Sequence, residues 1–454
     1  MTQEPSPISP TTDRELTRTA TGRQVDGRVP GLVAAVGRHG KLLWHNGIGV
    51  ADLDDQSVDL GADTHFQVAS NTKTFTAVMV MQLRDEGRLT LDDTVDQHLP
   101  ETQHPRVTLR QLLSHTTGMQ REPVGDVWDT LEFPDRAGLV TGWNDAERVL
   151  RPHTTWHYSN LGYAVLGEII ARLDGREWGE SLRARLLDPL GLRRTALRPS
   201  SPVAGAYYVP PFSDVPVTEP RVDKQATASA GAIWSTATDM AAWHGFLAAP
   251  DPSVLAPATL EEMCQPQIVG DTTGWSFAWG LGLELARRDG RTWVGHTGGL
   301  PGSVSGVFTE RSSGTTGIIL MNATNAPDPR AAALDLASYV LEHDPEPLTP
   351  WTPGTEQPAE LVPLTGRWWS EGQGFTFVIR DGGLEARIDG LPAARPSSRF
   401  ERVEDDVYRT VAGREKGELL RVARHSDGSV RQLLWATYRF TREPLAFGVP
   451  VEQH

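Results

Sequence analysis

Short apolar runs separated by turn residues open the chain. Residues 31–36 and 41–44 read as two strands around the turn His39-Gly40. The spacing of Phe75, Val78, Met79, Met81 and Leu83 predicts a largely buried helix from near Ser70 to Glu86, with Gly87 placed as its C-terminal cap. Residues 90–200 mix short helices and loops, one of them ending at Pro189-Leu190-Gly191. Strand patterns return at 293–295, 302–309 and 316–321, a meander with the turn Ser312-Ser313-Gly314. They are followed by a helix over 328–343 with Leu334, Leu336, Val340 and Leu341 on or near one face. Strands at both ends and helices between them predict one antiparallel sheet with helices packed on it, the Ser70 helix buried in the middle.

The pattern then changes. Pro345, Pro347, Pro350, Pro353 and Pro358 mark an extended, stiff linker. Beyond it come short alternating strands, at 375–380, 384–388, 407–411, 419–423 and 433–440, as in a small all-β barrel. The expected organisation is a disordered segment over 1–12, a catalytic domain over 13–344, a linker over 345–360 and a barrel over 361–447. Gly366-Arg367-Trp368 resembles the Gly-x-Trp signature that opens lipocalin-type barrels. That resemblance implies an arginine of the last strand, Arg439 or Arg442, packed over the tryptophan.

Composition narrows the function. A net charge of −15 argues against nucleic acid or anionic membrane as the main partner. The single cysteine, Cys264, leaves no internal disulfide and no Cys-rich metal site. The first ten residues have no basic or apolar stretch of a secretory signal, and no run approaches the ~20 apolar residues of a membrane span, so the expected compartment is the cytoplasm. There is no zinc-binding His-Glu-x-x-His, P-loop, Gly-x-Ser-x-Gly elbow or dinucleotide fingerprint, so no metal or organic cofactor is implied. Only four of the 43 basic residues are lysines: Lys41, Lys73, Lys224 and Lys416. In so arginine-rich a chain, a lysine can mark a place where arginine cannot serve.

Three short elements carry candidate chemistry. In Ser70-Asn71-Thr72-Lys73, residues three apart share a helix face, so hydroxyl and amine meet locally. Serine needs a base, and a desolvated lysine can lose its proton near neutral pH where arginine cannot. The plain alternative is an N-cap serine with an exposed lysine one turn on. In Tyr158-Ser159-Asn160 a phenol can relay a proton if cations lower its pKa, and a carboxamide can hold a substrate amide. The alternative is a turn with a packed tyrosine. His296-Thr297-Gly298-Gly299 enters a predicted strand, where glycines admit a ligand, the strand edge can bind extended peptide, and the Gly299 and Ser70 amides can form an oxyanion hole. The alternative is a hairpin turn.

In this order and spacing the three resemble the penicillin-recognising serine hydrolases: serine β-lactamases, penicillin-binding proteins and their esterase and peptidase relatives, closest to the class C and D-peptidase branch. Residues 66–70, 108–118, 188–192 and 229–236 support the resemblance, which spans roughly residues 25–345. It implies an α/β (α+β) fold, a β-lactamase-like sheet with packed helices and a helical subdomain. Ser70 would form the acyl-enzyme, Lys73 and Tyr158 would share acid–base work, and Asn160, Thr297 and Gly298 would contact substrate. Gly299 would pair with Ser70 as oxyanion hole, and His115 and Thr117 would brace the helical subdomain. Where His296 stands, the family usually carries a lysine that binds the substrate carboxylate. A mostly neutral histidine holds a carboxylate less well but can still hydrogen-bond Tyr158 or substrate, which moves the expected substrate toward esters, thioesters and internal amides.

The chain also resembles the stand-alone penicillin-binding-protein-type thioesterases of actinobacterial peptide assembly lines. That resemblance implies a peptidyl substrate ending in a D-residue, a carrier domain as partner, release by macrolactam formation, and Arg439 or Arg442 as substrate contact. Trp128, Trp143, Trp156, Trp275 and Trp293 are candidates for lining an apolar cleft, although core positions suit most of them. The competing functions are a D-stereospecific aminopeptidase, amidase or esterase, a β-lactam or peptide sensor that acylates without turnover, and a scaffold whose β module binds a carrier protein.

Overall fold

The computed structural model describes residues 8–102, 106–392, 395–446 and 448–449. The chain divides into two compact units, Met1–Pro347 and Leu348–His454.

The first unit is built on an eight-stranded antiparallel sheet in the order Lys41–Gly49, Gly31–Arg38, Thr315–Met321, Ser303–Glu310, Arg291–Leu300, Glu284–Arg288, Phe277–Trp279 and Ile268–Val269. The N-terminal hairpin is thus hydrogen-bonded to the C-terminal meander, with Leu32 opposite Met321 and Val36 opposite Gly317. Both faces of these central strands are covered, which is why residues 31–36 read as an unbroken apolar run. Leu32, Ala34 and Val36 enter one apolar cluster with the helices Pro10–Gly27 and Pro329–His343, while Val33 and Ala35 enter the other, with the Thr72–Asp85 helix. The first helix begins at Pro10, capped by the Ser9 side chain, so residues 10–12 are ordered where disorder was expected; residues 1–7 lie outside the described residues. Leu16 and Ala20 anchor that helix in the core, which its weak apolar periodicity did not reveal.

The helix expected from near Ser70 takes α form two residues on. Ala69–Asn71 form a 3-10 turn, and the α-helix runs Thr72–Asp85, with every residue from Thr72 to Leu83 buried. Gly87 adopts the left-handed conformation foreseen for a cap.

The second unit is a nearly closed eight-stranded antiparallel barrel in which each strand pairs with the next in sequence, from Gly366–Ser370 to Tyr438–Phe440. First and last strands are joined by one bridge, Trp369 and Thr441 exchanging N–H···O bonds of 2.8 and 3.0 Å. Inward-facing Trp368, Phe375, Phe377, Phe400, Tyr408, Trp435 and Phe440 fill it, as expected for eight strands. Two details correct the sequence pattern. Residues 433–440 are two strands, Val430–Trp435 and Tyr438–Phe440, because Ala436 and Thr437 both turn with positive φ. Ser398–Glu404 is an additional strand, unread because only its alternate positions at Ser398 and Phe400 are buried.

Candidate active site

Ser70 sits on the 3-10 turn just before the helix, after Ala69 in the left-handed region (φ 48°), a conformation that costs energy outside glycine and persists where its surroundings enforce it. Those surroundings are visible. Ser305 Oγ donates to Val68 O at 2.9 Å, Asn71 Nδ2 donates to Ser305 Oγ at 2.9 Å, and Ser303 Oγ donates to Gln67 O at 2.7 Å. Gly298 is needed for this contact: a Cβ there would lie 2.3 Å from Val68 O and 2.5 Å from Ser305 Oγ. Gly298 therefore seats the serine turn against the strand. Gly299, by contrast, has open space beside it and lines the same cleft as Ser70 and Thr297. The Glu284–Arg288 strand pairs with Arg291–Leu300 only as far as Gly295, so the edge beyond is open on that side to an extended ligand backbone.

Lys73 is fully buried, excluding the exposed-lysine alternative. Its Nζ lies 2.6 Å from Ala230 O, 2.7 Å from Asn160 Oδ1 and 3.2 Å from Ser70 Oγ. A neutral amine has two N–H donors and one lone pair. Two fixed acceptors take the donors, and the lone pair is left for the serine proton. Burial holds the lysine well below its ordinary value; the charges of Lys224 and Arg121 push the same way, and Glu122 opposes them. This set can accept a proton from Ser70 as that oxygen attacks a carbonyl.

Tyr158 differs from expectation. Rather than being lowered by cations, its phenol is raised above the ordinary value, because burial outweighs the hydrogen bond with Ser70 and the charge of Arg121. It is packed on His115 (ring centroids 4.3 Å apart) and lies edge-on to Trp279. It therefore stays protonated and can donate to a leaving group, but cannot rest as a phenolate base. Asn160 begins the Asn160–Asp174 helix, behind the Ser159 N-cap. Its carboxamide orients the lysine, Oδ1 accepting from Lys73 Nζ and Nδ2 donating to Glu122 Oε1 at 2.6 Å, and it keeps one donor and one acceptor position on the cleft it lines.

His296 is buried and held neutral, its value pushed down to about 3 by burial above all. Its Nδ1 contacts its own strand at Thr297 O, its Nε2 has no hydrogen-bond partner, and its ring lies 6.1 Å from that of Tyr158. Of the two partners open to it, Tyr158 and substrate, Tyr158 is not hydrogen-bonded to it. His115 Nδ1 accepts from Ser159 N at 3.0 Å and Thr117 Oγ1 from Met119 N at 3.0 Å, both bracing contacts.

The cleft holds about 360 Å³. Of the five tryptophans singled out, Trp128 and Trp156 line it, Trp143 and Trp293 are core, and Trp275 is exposed. Sequence reasoning missed Arg121, Glu122, Phe277, Trp279, Glu284 and Arg330. Trp279 and Phe277 stand on a three-residue strand too short to show a period. Glu284 Oε1 lies 2.7 Å from Arg330 Nε but off the hydrogen-bond direction, and burial pushes its carboxyl up to about 7 against the pull of that arginine.

Arg439 and Arg442 lie in the second unit. Arg442 stacks over Trp368, its guanidinium carbon 3.7 Å from the ring centroid, and donates to the carbonyls of Pro363, Thr365 and Arg367. Arg439 donates to Val449 O and Ala446 O. The barrel arginine expected over the tryptophan is Arg442.

The comparisons agree with this architecture. Residues 16–341 match the beta-lactamase family model, and residues 357–442 match a domain of unknown function, DUF7586. The chain belongs to the beta-lactamase family. It is 30% identical over 380 residues to "Penicillin-binding protein 4" of Amycolatopsis lactamdurans, covering 77% of this chain and 95% of that one. Among solved structures it is similar to a D-stereospecific amidohydrolase from Streptomyces sp. (TM-score 0.61, 26% identity, 71% of this chain and 98% of that chain). It is also similar in fold to SurE with D-Leu (TM-score 0.59, 23% identity, 96% and 100%). The protein is thus a serine hydrolase or acyltransferase of the β-lactamase and penicillin-binding-protein kind. Among the described residues no helix is long and apolar enough to cross a membrane, and no cluster of three or more metal-ligating side chains occurs.

Proposed function

We propose that the protein takes a peptidyl chain with a D-residue at the reacting carbonyl from a thioester or ester onto Ser70, and releases it by attack of the chain's own amine as a head-to-tail macrolactam. Lys73, as free base, takes the Ser70 proton; the Ser70 and Gly299 amides hold the oxyanion; Tyr158 protonates the departing thiol or alcohol. When the amine attacks the acyl-enzyme, its proton returns to the Tyr158 oxygen, and Lys73 gives back to Ser70 Oγ the proton it took as that oxygen leaves. The observation that carries the substrate class is His296: a buried, neutral ring stands where a cation would bind a carboxylate. An acyl donor whose C-terminal carboxylate has been converted to a thioester suits such a site. The aromatic walls of Trp128, Trp156, Phe277 and Trp279 suit an apolar peptide, and the D-stereospecific amidohydrolase likeness supports the D-residue. A carrier domain of a peptide synthetase is the partner that would deliver such a chain in the cytoplasm.

The second reading, hydrolysis of D-configured amides or esters, uses the same acyl-enzyme with water as acceptor and is favoured by the same amidohydrolase likeness. Incubation with a synthetic peptidyl thioester ending in a D-residue separates the two by mass: loss of the thiol without addition of water marks cyclisation, whereas linear acid alone rejects it. A stable Ser70 adduct without turnover would instead mark a sensor.

A further inference from the structure

Lys224 is the other buried lysine of this lysine-poor chain, 4% exposed, and the proposed chemistry makes no use of it. Two rings face its ammonium, and the Glu122 carboxylate is the opposite charge that acts on it. Its Nζ lies 3.7 Å from the ring centroid of Phe133 and 4.6 Å from that of Trp128, which lines the cleft. It caps the 3-10 turn Gln225–Ala230, whose far end is the carbonyl that accepts from Lys73 Nζ. That turn is pinned along its length. Thr227 Oγ1 donates to Lys224 O at 2.7 Å, Ser229 Oγ to Tyr163 O at 2.9 Å, and Thr76 Oγ1 to Ser229 O at 2.7 Å. Gly167 lets it lie flush on the helix, since a Cβ there would sit 2.1 Å from Ser229 Oγ. One rigid piece of backbone thus fixes both lysines with respect to each other.

We propose that Lys224 is a positioning residue for the acyl-transfer base, its aromatic-caged ammonium repelling a proton from the Lys73 amine so that Lys73 can accept the one from Ser70. The inference rests on the Ser70–Lys73 reading above. The other groups facing Lys73 leave this role open. His115 and His296 are neutral by burial, and the Tyr158 and Tyr163 phenols stay protonated. Arg121 is 61% exposed and screened by solvent. Glu122 is the opposing charge, acting on both lysines while bonded to Asn160. The ammonium of Lys224 is itself held down to about 8, by burial, so it is charged at neutral pH and titrates away above it. An arginine would carry the charge at every pH, whereas lysine makes it conditional.

The test is the pH profile of kcat/KM with an activated ester such as p-nitrophenyl butyrate, on the full chain. Ser70→Ala is the control: turnover surviving in it overturns the acyl-enzyme reading itself. With Ser70→Ala inactive, Lys224→Met should move the acid limb alkaline, with about tenfold lower kcat/KM on the acid side for each unit of movement. The profile should converge with wild type above pH about 8, where wild-type Lys224 has lost its proton. Lys224→Arg should restore the acid limb. Lys224→Gln should move it as Lys224→Met does, and decides the matter if Lys224→Met does not fold. An equal loss at every pH, or an unmoved acid limb, in Lys224→Met or Lys224→Gln overturns the proposal.

Discussion

Lys73 in the first unit and Arg442 in the second are built into similar surroundings. Each basic head approaches an aromatic ring, at 4.8 Å from the Tyr158 centroid and 3.7 Å from the Trp368 centroid, and each faces a set of oxygen acceptors. The difference lies in what the head can give up. Arg442 meets three carbonyls with a guanidinium that keeps its charge, so stacking and hydrogen bonds tie the end of the barrel to its first strand. Lys73 meets two acceptors and one hydroxyl, and burial favours the amine over the ammonium, so it can take the serine proton. The same kind of pocket serves as a fastener with one residue and as a proton acceptor with the other.

Exchanging or removing these heads should break that contrast in graded steps. Ser70→Ala and Lys73→Arg should each lower kcat for an activated ester by about 10³-fold or more, measured by steady-state kinetics. The arginine supplies charge but no base, so activity surviving in Lys73→Arg would erase the distinction. Tyr158→Phe should cost about 10²-fold in kcat, more with a poor leaving group than with nitrophenolate, because the lost function is proton donation.

Stability at Lys73 should then follow pH. Its folded value is depressed below the unfolded one, so the unfolded chain binds the extra proton, and wild-type stability rises with pH between the two values. Lys73→Met should therefore compare best with wild type near neutral pH and lose ground as pH approaches about 10, where the wild-type penalty is gone. Denaturant titrations at three pH values check this. Arg442→Lys should leave ester turnover intact and lower barrel stability by about 1 kcal/mol, seen as a shift of about 4–8 °C in the melting of that unit.

What could be read in advance followed from locality. Ser70 and Lys73 are neighbours on one helical turn, so their meeting needed no knowledge of the fold, and the strands at 31–36 and 316–321 announced themselves by continuous apolar character. Glu122, Trp279 and Arg330 reach the cleft from a loop, a three-residue strand and the start of a helix, and nothing near them in sequence marks that convergence. The state of Tyr158 turns on desolvation, which raises its phenol and which neighbouring residues in sequence do not show. The engagement of Asn160 by Lys73 and Glu122 depended on Glu122, which no local pattern revealed.

The pairing of Leu32 with Met321 also governs how the chain is born. A ribosome releases the Gly31–Arg38 strand long before its partner Thr315–Met321 exists, so for most of synthesis an aggregation-prone segment waits with one edge unpaired. Contacts between sequence-distant strands make such sheets slow to close, and the nascent protein should lean on holdase chaperones until residue 321 has cleared the exit tunnel. The same adjacency makes the first unit a natural subject for circular permutation: new ends cut in an exposed loop, with a short bridge across the old ones, would put the central strands next to each other in time as well as in space.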